Sequence, residues 1–389
     1  MSGDDRWEFG SAFPLILPRG LGRAEPLEQA RYFGSGRHAL RALVEFGRRE
    51  RGWQAVHIPA YYSPAVVQSI ADLLPVRRYD TGPVGPHPRP EAGPADAVIT
   101  VSYFGEPPVL PSTPATLIID VTHDPVAPWL DPARADYVFA SLHKTLPLPD
   151  GGMLWSGNGH PLPPAVPPTD AHLATVSQIL SAMCLKAAYL DGAPLRKEQY
   201  RALYAAGDAG LCSTAVSGIS DFSREALRVL PAEELRRRRM TNAAELALNL
   251  RELAGVVVHA RSFGVVLEFD TTQRREAIRR DLIARSVYPA VLWSLNPEDA
   301  PPHQLDFSRR MLHLHADLRW SGSDLRRVAA IVRELCHRYP SPPADRQDPG
   351  HDQSGSNVEW PIRRIQAPTG DLEVASPHRV VKPSDHATT

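Results

Sequence analysis

The chain has 389 residues, of which 43% are hydrophobic and 22% charged, with a formal net charge of -1 at pH 7. That length exceeds what one hydrophobic core usually supports, so two closely associated domains are expected, and the balanced charge gives no electrostatic case for a nucleic acid or a membrane surface as partner. Cys184, Cys212 and Cys336 lie far apart without metal-type spacing, the opening MSGDDRWEFG lacks the basic and apolar regions of a signal peptide, and no apolar run approaches bilayer-spanning length. Free thiols in a reducing compartment, and hence a cytoplasmic location, are the expectation.

In chain order, YFGSGRHALRALVEFGRRERG places Gly34, Ser35 and Gly36 before apolar positions Leu40, Leu43, Val44 and Phe46 at helical spacing. A small-residue turn opening a helix gathers free backbone N–H groups and the positive helix end at one point, which suits a phosphate; taken alone it also fits a helix that merely follows a flexible turn. Next come a strand at Ala55–Ile58, a turn with Tyr61 and Tyr62, a helix from Pro64 to Leu73 capped by Ser63, and a strand at Val76–Tyr79. A further buried-type strand, AVITVSY, runs from Ala97 to Tyr103. The repeated strand, loop or helix, strand rhythm predicts a largely parallel sheet.

The stretch from Thr116 to Gly152 holds two short apolar runs, Leu117–Ile119 and Tyr137–Ala140, that stop abruptly at polar residues. Runs of this kind are strands buried on both faces, and open α/β sheets place ligands at the carboxyl ends of such strands. Asp120 with His123, and Ser141 with Lys144, are therefore expected to converge on one sheet edge. Only four lysines occur in the chain, Lys144, Lys186, Lys197 and Lys382. Lys186 and Lys197 fall in helix-like, solvent-type patterns and Lys382 in a Pro/Ser/His-rich tail, which leaves Lys144 as the candidate for amine chemistry.

From Ala171 to about Leu230 the pattern is helical, and a long helix starts near Pro231. VVVHA, GVVLEF, VYPAVLW and MLHLHADLRW then read as strands, with helices at Arg274–Arg285 and Ser323–His337. The predicted class is α/β: a three-layer large domain with a mostly parallel sheet over residues 1–240, a smaller α+β C-terminal domain over 241–340, and a mostly disordered tail over 341–389.

A lysine in a partly desolvated cleft has a lowered pKa and can form a Schiff base with a carbonyl. Were that carbonyl pyridoxal phosphate, the site would also need an acid at the pyridine nitrogen, a phosphate cup and a flat group over the ring. Asp120 meets the first need and the GSGR turn, with Ser141, the second. Tyr61, Tyr62 or Tyr103 could supply the third or a hydroxyl to the ring oxygen. The ordered run GSGRHAL, IPAYYSP, VSYFG, IIDVTHD and SLHKTLPLPDGG resembles fold type I pyridoxal-phosphate enzymes, most closely the DegT-type sugar and natural-product aminotransferases, over roughly residues 30–340. The resemblance implies that Lys144 is the Schiff-base lysine and Asp120 the partner of the pyridine nitrogen. It places His123 near the ring or its oxygen and Gly36, Arg37 and Ser141 near the phosphate, and it implies a homodimer acting on a small molecule. The chain departs from the family in its phosphate turn, where GR stands in place of the usual Thr. His143 stands beside the lysine, whereas relatives that dehydrate sugars carry histidine in place of it.

In MLHLHADLRW, His313, His315, Asp317 and Arg319 alternate with apolar residues and are expected to share one strand face. By the same resemblance Arg319 is the candidate to grip a substrate carboxylate, with His315 beside it; the alternative is an Asp317/Arg319 ion pair on a solvated face. A metal site at His313 and His315 lacks further ligands. The expected activity is amino transfer to a keto sugar, keto acid or natural-product intermediate. The rivals are a decarboxylase, oxidase or lyase using the same cofactor, or a pseudoenzyme that keeps the fold.

Overall fold

Apolar runs too short for helices and bounded by turn residues become the inner strands of a sheet covered on both sides. The structure is a computed structural model and describes residues 6–10, 12–16 and 29–341. In chain order its elements are β1 (Phe9–Gly10), β2 (Arg31–Phe33), α1 (Gly36–Glu50), β3 (Ala55–Pro59), α2 (Pro64–Gln68), β4 (Val76–Tyr79), β5 (Asp96–Val101), β6 (Thr116–Asp120), β7 (Tyr137–Ser141) and β8 (Gly152–Trp155). They continue with α3 (Asp170–Leu190), α4 (Lys197–Gly210), α5 (Asp221–Leu227), α6 (Ala232–Leu250), β9 (Val256–Arg261), β10 (Gly264–Phe269), α7 (Thr272–Ala284), β11 (Val287–Tyr288), α8 (Pro302–Arg310), β12 (Met311–His315) and α9 (Gly322–Arg338).

Among the described residues, seven strands form one sheet in the order β2-β8-β7-β6-β5-β3-β4. β8 runs antiparallel to both neighbours and the remaining pairings are parallel. Successive residues of the inner strands feed opposite faces: Ile99, Ile118 and Phe139 pack with Leu40, Leu43 and Val44 of α1, while Val98, Ile119 and Val138 pack toward Leu227 and Leu235. This is the three-layer α/β arrangement expected from the sequence.

A second sheet, order β12-β10-β9, is antiparallel and packs against α6, α7 and α9. Its core joins Leu246 and Leu250 of α6 to Leu267, Leu312 and Val332. The first turn of α6, through Ala232 and Leu235, instead meets the large sheet's core, so one helix serves both cores. VYPAVLW forms a strand only at its first two residues, which pair in parallel with β1. Pro289 has no N–H to continue a ladder, and the chain from Leu292 turns toward the large sheet. The tail expected to be disordered lies, from residue 342 on, outside the described residues.

α3 also departs from the expectation that no segment reaches bilayer-spanning length: its 21 residues are long and apolar enough by length and composition. Within the fold it forms a hairpin with α4, where Ile179 and Met183 pack on Leu211.

Gly47 of α1 lies against Trp53, where an added Cβ would come within 2.0 Å of the indole. Gly47→Ala is therefore expected to overpack the core and cost about 1–3 kcal/mol, read as a lower urea midpoint at unchanged slope.

Candidate active site

β6 and β7 are parallel neighbours with Asp120 opposite Phe139, so their carboxyl ends open on the same sheet edge. Asp120 is the last residue of β6 and is buried. Its Oδ1 accepts from the Thr122 N–H at 2.8 Å and its Oδ2 from the Tyr62 hydroxyl at 2.5 Å. Burial raises its pKa, opposed by the hydrogen bonds from Thr122 and Tyr62. The Thr122 hydroxyl accepts from the Ser141 N–H at 3.1 Å and so ties the two strand ends together.

After β7 the chain makes a short 3₁₀ turn, Leu142–Lys144, which carries the amine off the strand. Leu142 N–H donates to Gly151 O at 2.9 Å, bracing that turn against the glycine pair. Lys144 is solvent-exposed and opens on a cavity of about 570 Å³. Among the described residues the amine has no hydrogen-bond or ion-pair partner. Desolvation lowers its pKa; Asp208 and Cys212 oppose this, and Arg37 adds to it.

Two glycine motifs more than a hundred positions apart in the chain explain each other here. A Cβ on Gly152 would stand 2.1 Å from Ser35 O, and one on Gly36 would stand 2.8 Å from the Ser141 Cβ. The Gly-Gly pair and the GSG turn therefore cross at backbone contact, which lays the start of α1 against the end of β7. Ser35 caps α1 by accepting from the His38 N–H at 3.2 Å. The next N–H groups, of Gly36 and Arg37, have no acceptor within the helix, and both residues line the cavity.

His123 is buried, and its Nδ1 accepts from the Phe104 N–H at 3.0 Å, which leaves the ring proton on Nε2. Its ring stacks on Phe263 at 4.3 Å and lies near-parallel to Trp293 at 5.7 Å. Burial, aided by Lys144, pushes its pKa down to about 3, so the imidazole is neutral. The loop behind it is pinned by Asp124, which is fully buried and pairs with Arg236 at 2.6 Å and Arg239 at 3.4 Å from α6.

The same cavity is lined by Gly36, Arg37, Tyr62, Asp120, His123, Ser141, Lys144, His315 and Arg319. Tyr61 and Tyr103, read from the sequence as possible ring contacts, do not line it. Adjacent residues of the turn point apart: Tyr61 packs on Phe307 and Trp293 and donates its hydroxyl to Leu292 O, while Tyr103 donates to Tyr61 O at 2.6 Å. Of the three tyrosines Tyr62 lines the cavity, as do Phe263, at the tip of the β9–β10 hairpin, and Trp293. Nothing in the local sequence marks Phe263 or Trp293.

Arg319 lines the cavity, but from the turn after β12 and not from a strand face. β12 ends at His315, and the Arg319 N–H donates to Asp317 Oδ1 at 3.1 Å as the chain turns away. The guanidinium grips Asp317 through Nε at 2.7 Å and Nη2 at 2.6 Å, and Nη1 reaches Gly10 O and Ala12 O. This is the ion-pair alternative, but buried rather than solvated. Lys186 is a second correction, since it is buried instead of solvent-facing. It pairs with Glu8 at 3.2 Å and donates to Ala12 O at 2.8 Å, while burial lowers its pKa to about 8.

The sequence reading also passed over Asp150, fully buried beside the glycine pair. Its carboxylate accepts from Ser220 N and Ser220 Oγ at 2.9 and 2.7 Å, from Ser223 Oγ, and from His172 Nε2 at 2.9 Å.

No protein-family model and no curated protein sequence matches the chain. Among solved structures, the PLP form of Spr1654 from Streptococcus pneumoniae, described as a sugar aminotransferase, matches with 12% identity over 86% of this chain and 100% of its own, at a TM-score of 0.54. The PMP form of that protein matches with 12% identity over 86% and 98%, at 0.53. A DegT DnrJ EryC1 StrS aminotransferase from Brucella abortus is more distant, with 15% identity over 81% and 87% at 0.48. The chain thus has the α/β fold of Spr1654, a mostly parallel sheet between helical layers joined to a smaller α+β portion, which is the fold its sequence motifs resemble.

Proposed function

We propose that this chain is a pyridoxal-phosphate-dependent aminotransferase, that Lys144 holds the cofactor covalently, and that the amino group passes to a carbonyl compound such as a keto sugar. The observation that carries the reading is a lysine amine without a polar partner among the described residues, lining one cavity with a tethered carboxylate and a helix N-terminus. These residues fit the group. Lys144 supplies the amine, Asp120 an acceptor for a ring N–H, and the start of α1 with Ser141 a cradle for phosphate where Gly36 leaves no room for a side chain.

Bound there, the cofactor supplies an electron sink for the carbon that loses or gains a proton. Lys144 Nζ would carry that proton, and its lowered pKa suits it to give and take one. Asp120 would hold a proton at the ring nitrogen, and the hydrogen bonds from Thr122 and Tyr62 favour its charged form against burial. Tyr62 and Thr122 hold its two oxygens in place. His123, neutral and backed by Phe263, offers a flat face without adding charge. Overall the donor's C–NH₂ carbon is oxidised to a carbonyl while the acceptor's carbonyl becomes an amine.

We read the large part as residues 1–240 and the smaller as 241–340, and we take the working unit to be a cytoplasmic homodimer. Support comes from the three cysteines, all unpaired, and from the resemblance, which implies a site built between two subunits.

The test is direct. Protein mixed with pyridoxal phosphate should develop a visible band that borohydride removes, leaving a pyridoxyl mass increment on the peptide of Lys144. An amine donor should convert the band and yield a carbonyl product; no band, or a label on another lysine, sinks the reading. Tyr62→Phe is expected to keep the band but free one oxygen of Asp120, weakening cofactor affinity about tenfold by equilibrium dialysis.

A further inference from the structure

His315 ends β12 and lines the cavity with Lys144. In the β10–β12 ladder it stands opposite Gly264, next to the hairpin tip that carries Phe263. Its ring is held by packing. The His313 ring meets it edge-on at 4.9 Å, Phe263 lies at 6.4 Å, and Gly10 brings bare backbone against it. A Cβ on Gly10 would stand 3.5 Å from the His315 Cδ2. Among the described residues the imidazole has no hydrogen-bond or ion-pair partner.

Most other polar side chains around the cavity are already engaged. Tyr62 donates to Asp120, Thr122 accepts from the Ser141 N–H, His123 accepts from the Phe104 N–H, Tyr204 donates to Phe13 O, and Arg319 is held by Asp317. Burial, aided by Arg319 and opposed by Asp317, pushes the His315 pKa down to about 4, and Lys144 and Lys186 act in the same direction as burial. The ring is therefore neutral near pH 7, with one N–H to donate and one lone pair to accept. A hydroxyl matches it, since a hydroxyl likewise both donates and accepts. Arg37 and Asp208 act on Lys144 in opposite senses, and a hydroxyl held at His315 leaves that charge balance as it is. A ring fixed by packing, with its donor and acceptor uncommitted, discriminates well: a ligand without the matching group leaves both unpaired.

We propose that His315 is the specificity-determining residue for the acceptor, its imidazole taking a hydroxyl of a polyhydroxylated carbonyl compound and so fixing which carbon is presented to Lys144. The proposal rests on the aminotransferase reading for the fate of the carbonyl, but the hydroxyl contact itself does not need the cofactor.

The experiment titrates the full-length protein, incubated with pyridoxamine phosphate, with scyllo-inosose and with cyclohexanone, the same ring ketone with and without hydroxyls. It follows calorimetric heat and the visible band together. The inosose is expected to bind at least about tenfold tighter than cyclohexanone. His315→Phe keeps a ring against His313 and Gly10 but removes both nitrogens. It should weaken the inosose about tenfold and leave cyclohexanone level, and His315→Gln should recover part of the loss. A merely structural role would weaken both ketones alike. His315→Leu gives the same reading should the phenylalanine variant fold poorly. Failure of the inosose to bind the unmodified protein, or binding no tighter than that of cyclohexanone, overturns the proposal. So does a His315→Phe protein with an unaltered preference. A His315-dependent preference without a visible band leaves the hydroxyl contact standing and removes the cofactor reading; a band that forms with a preference indifferent to His315 does the reverse.

Discussion

Lys144→Ala is expected to abolish the visible band formed with pyridoxal phosphate and to lower turnover by at least about 10³-fold, since the proposed role combines attachment with proton transfer. The fold should survive the change. Lys144 makes no hydrogen bond or ion pair among the described residues, and its side chain opens on a cavity instead of filling a core. Its removal takes away a side chain that packing does not require, so the denaturant midpoint should stay level. A small primary amine added to the variant is expected to restore part of the proton transfer, which separates a chemical defect from a structural one. An active variant with wild-type absorbance would end the assignment of Lys144.

Asp150→Ala is expected to act the opposite way, with a large loss of stability as the primary effect. Four donors from Ser220, Ser223 and His172 converge on one carboxylate that has no solvent exposure. Alanine leaves those donors buried and unsatisfied, and the cost is about 3–5 kcal/mol, a large share of a typical domain's margin. The injury reaches the site through the backbone, because Asp150 anchors the residues before the Gly151–Gly152 crossing on Ser35, which in turn seats the start of α1. Urea unfolding should show the lower midpoint, and the surviving folded fraction should bind the cofactor less tightly. Asp150→Asn keeps the volume but turns an N–H group toward donors, so an intermediate loss is expected. A midpoint for Asp150→Ala within about 1 kcal/mol of wild type would show that the network does not hold this loop.

The contrast between these two residues reflects how much each one disclosed in the sequence. Lys144 was conspicuous because lysine is scarce and because it follows an apolar run that ends abruptly. Asp150 looks like an ordinary turn residue before two glycines, and its partners lie more than twenty positions away on α3 and α5. Tyr62 and Tyr61 carry the same side chain at adjacent positions, so sequence alone could not say which faces the cavity; packing against Phe307 takes one and Asp120 takes the other. Arg319 does line the cavity, but the strand period ends at His315, and Asp317 two residues earlier holds both its backbone and its guanidinium. Lys186 read as solvent-facing because helical periodicity does not reveal that the N-terminal segment lies over that face of α3 with Glu8.

What the sequence by itself determined was the sheet and its reactive edge. Strands buried on both faces must be continuously apolar, and their polar ends must then emerge at the carboxyl edge, so Asp120, Ser141 and Lys144 were placed by local pattern alone. Tertiary structure decided what surrounds them. Phe263 and Trp293 arrive from the smaller sheet's side, Asp208 and Met183 from the α3–α4 hairpin, and Phe13 from the N-terminal segment. Those contacts depend on which elements pack together across the fold, a choice made by the sum of many burials that no short stretch of chain encodes.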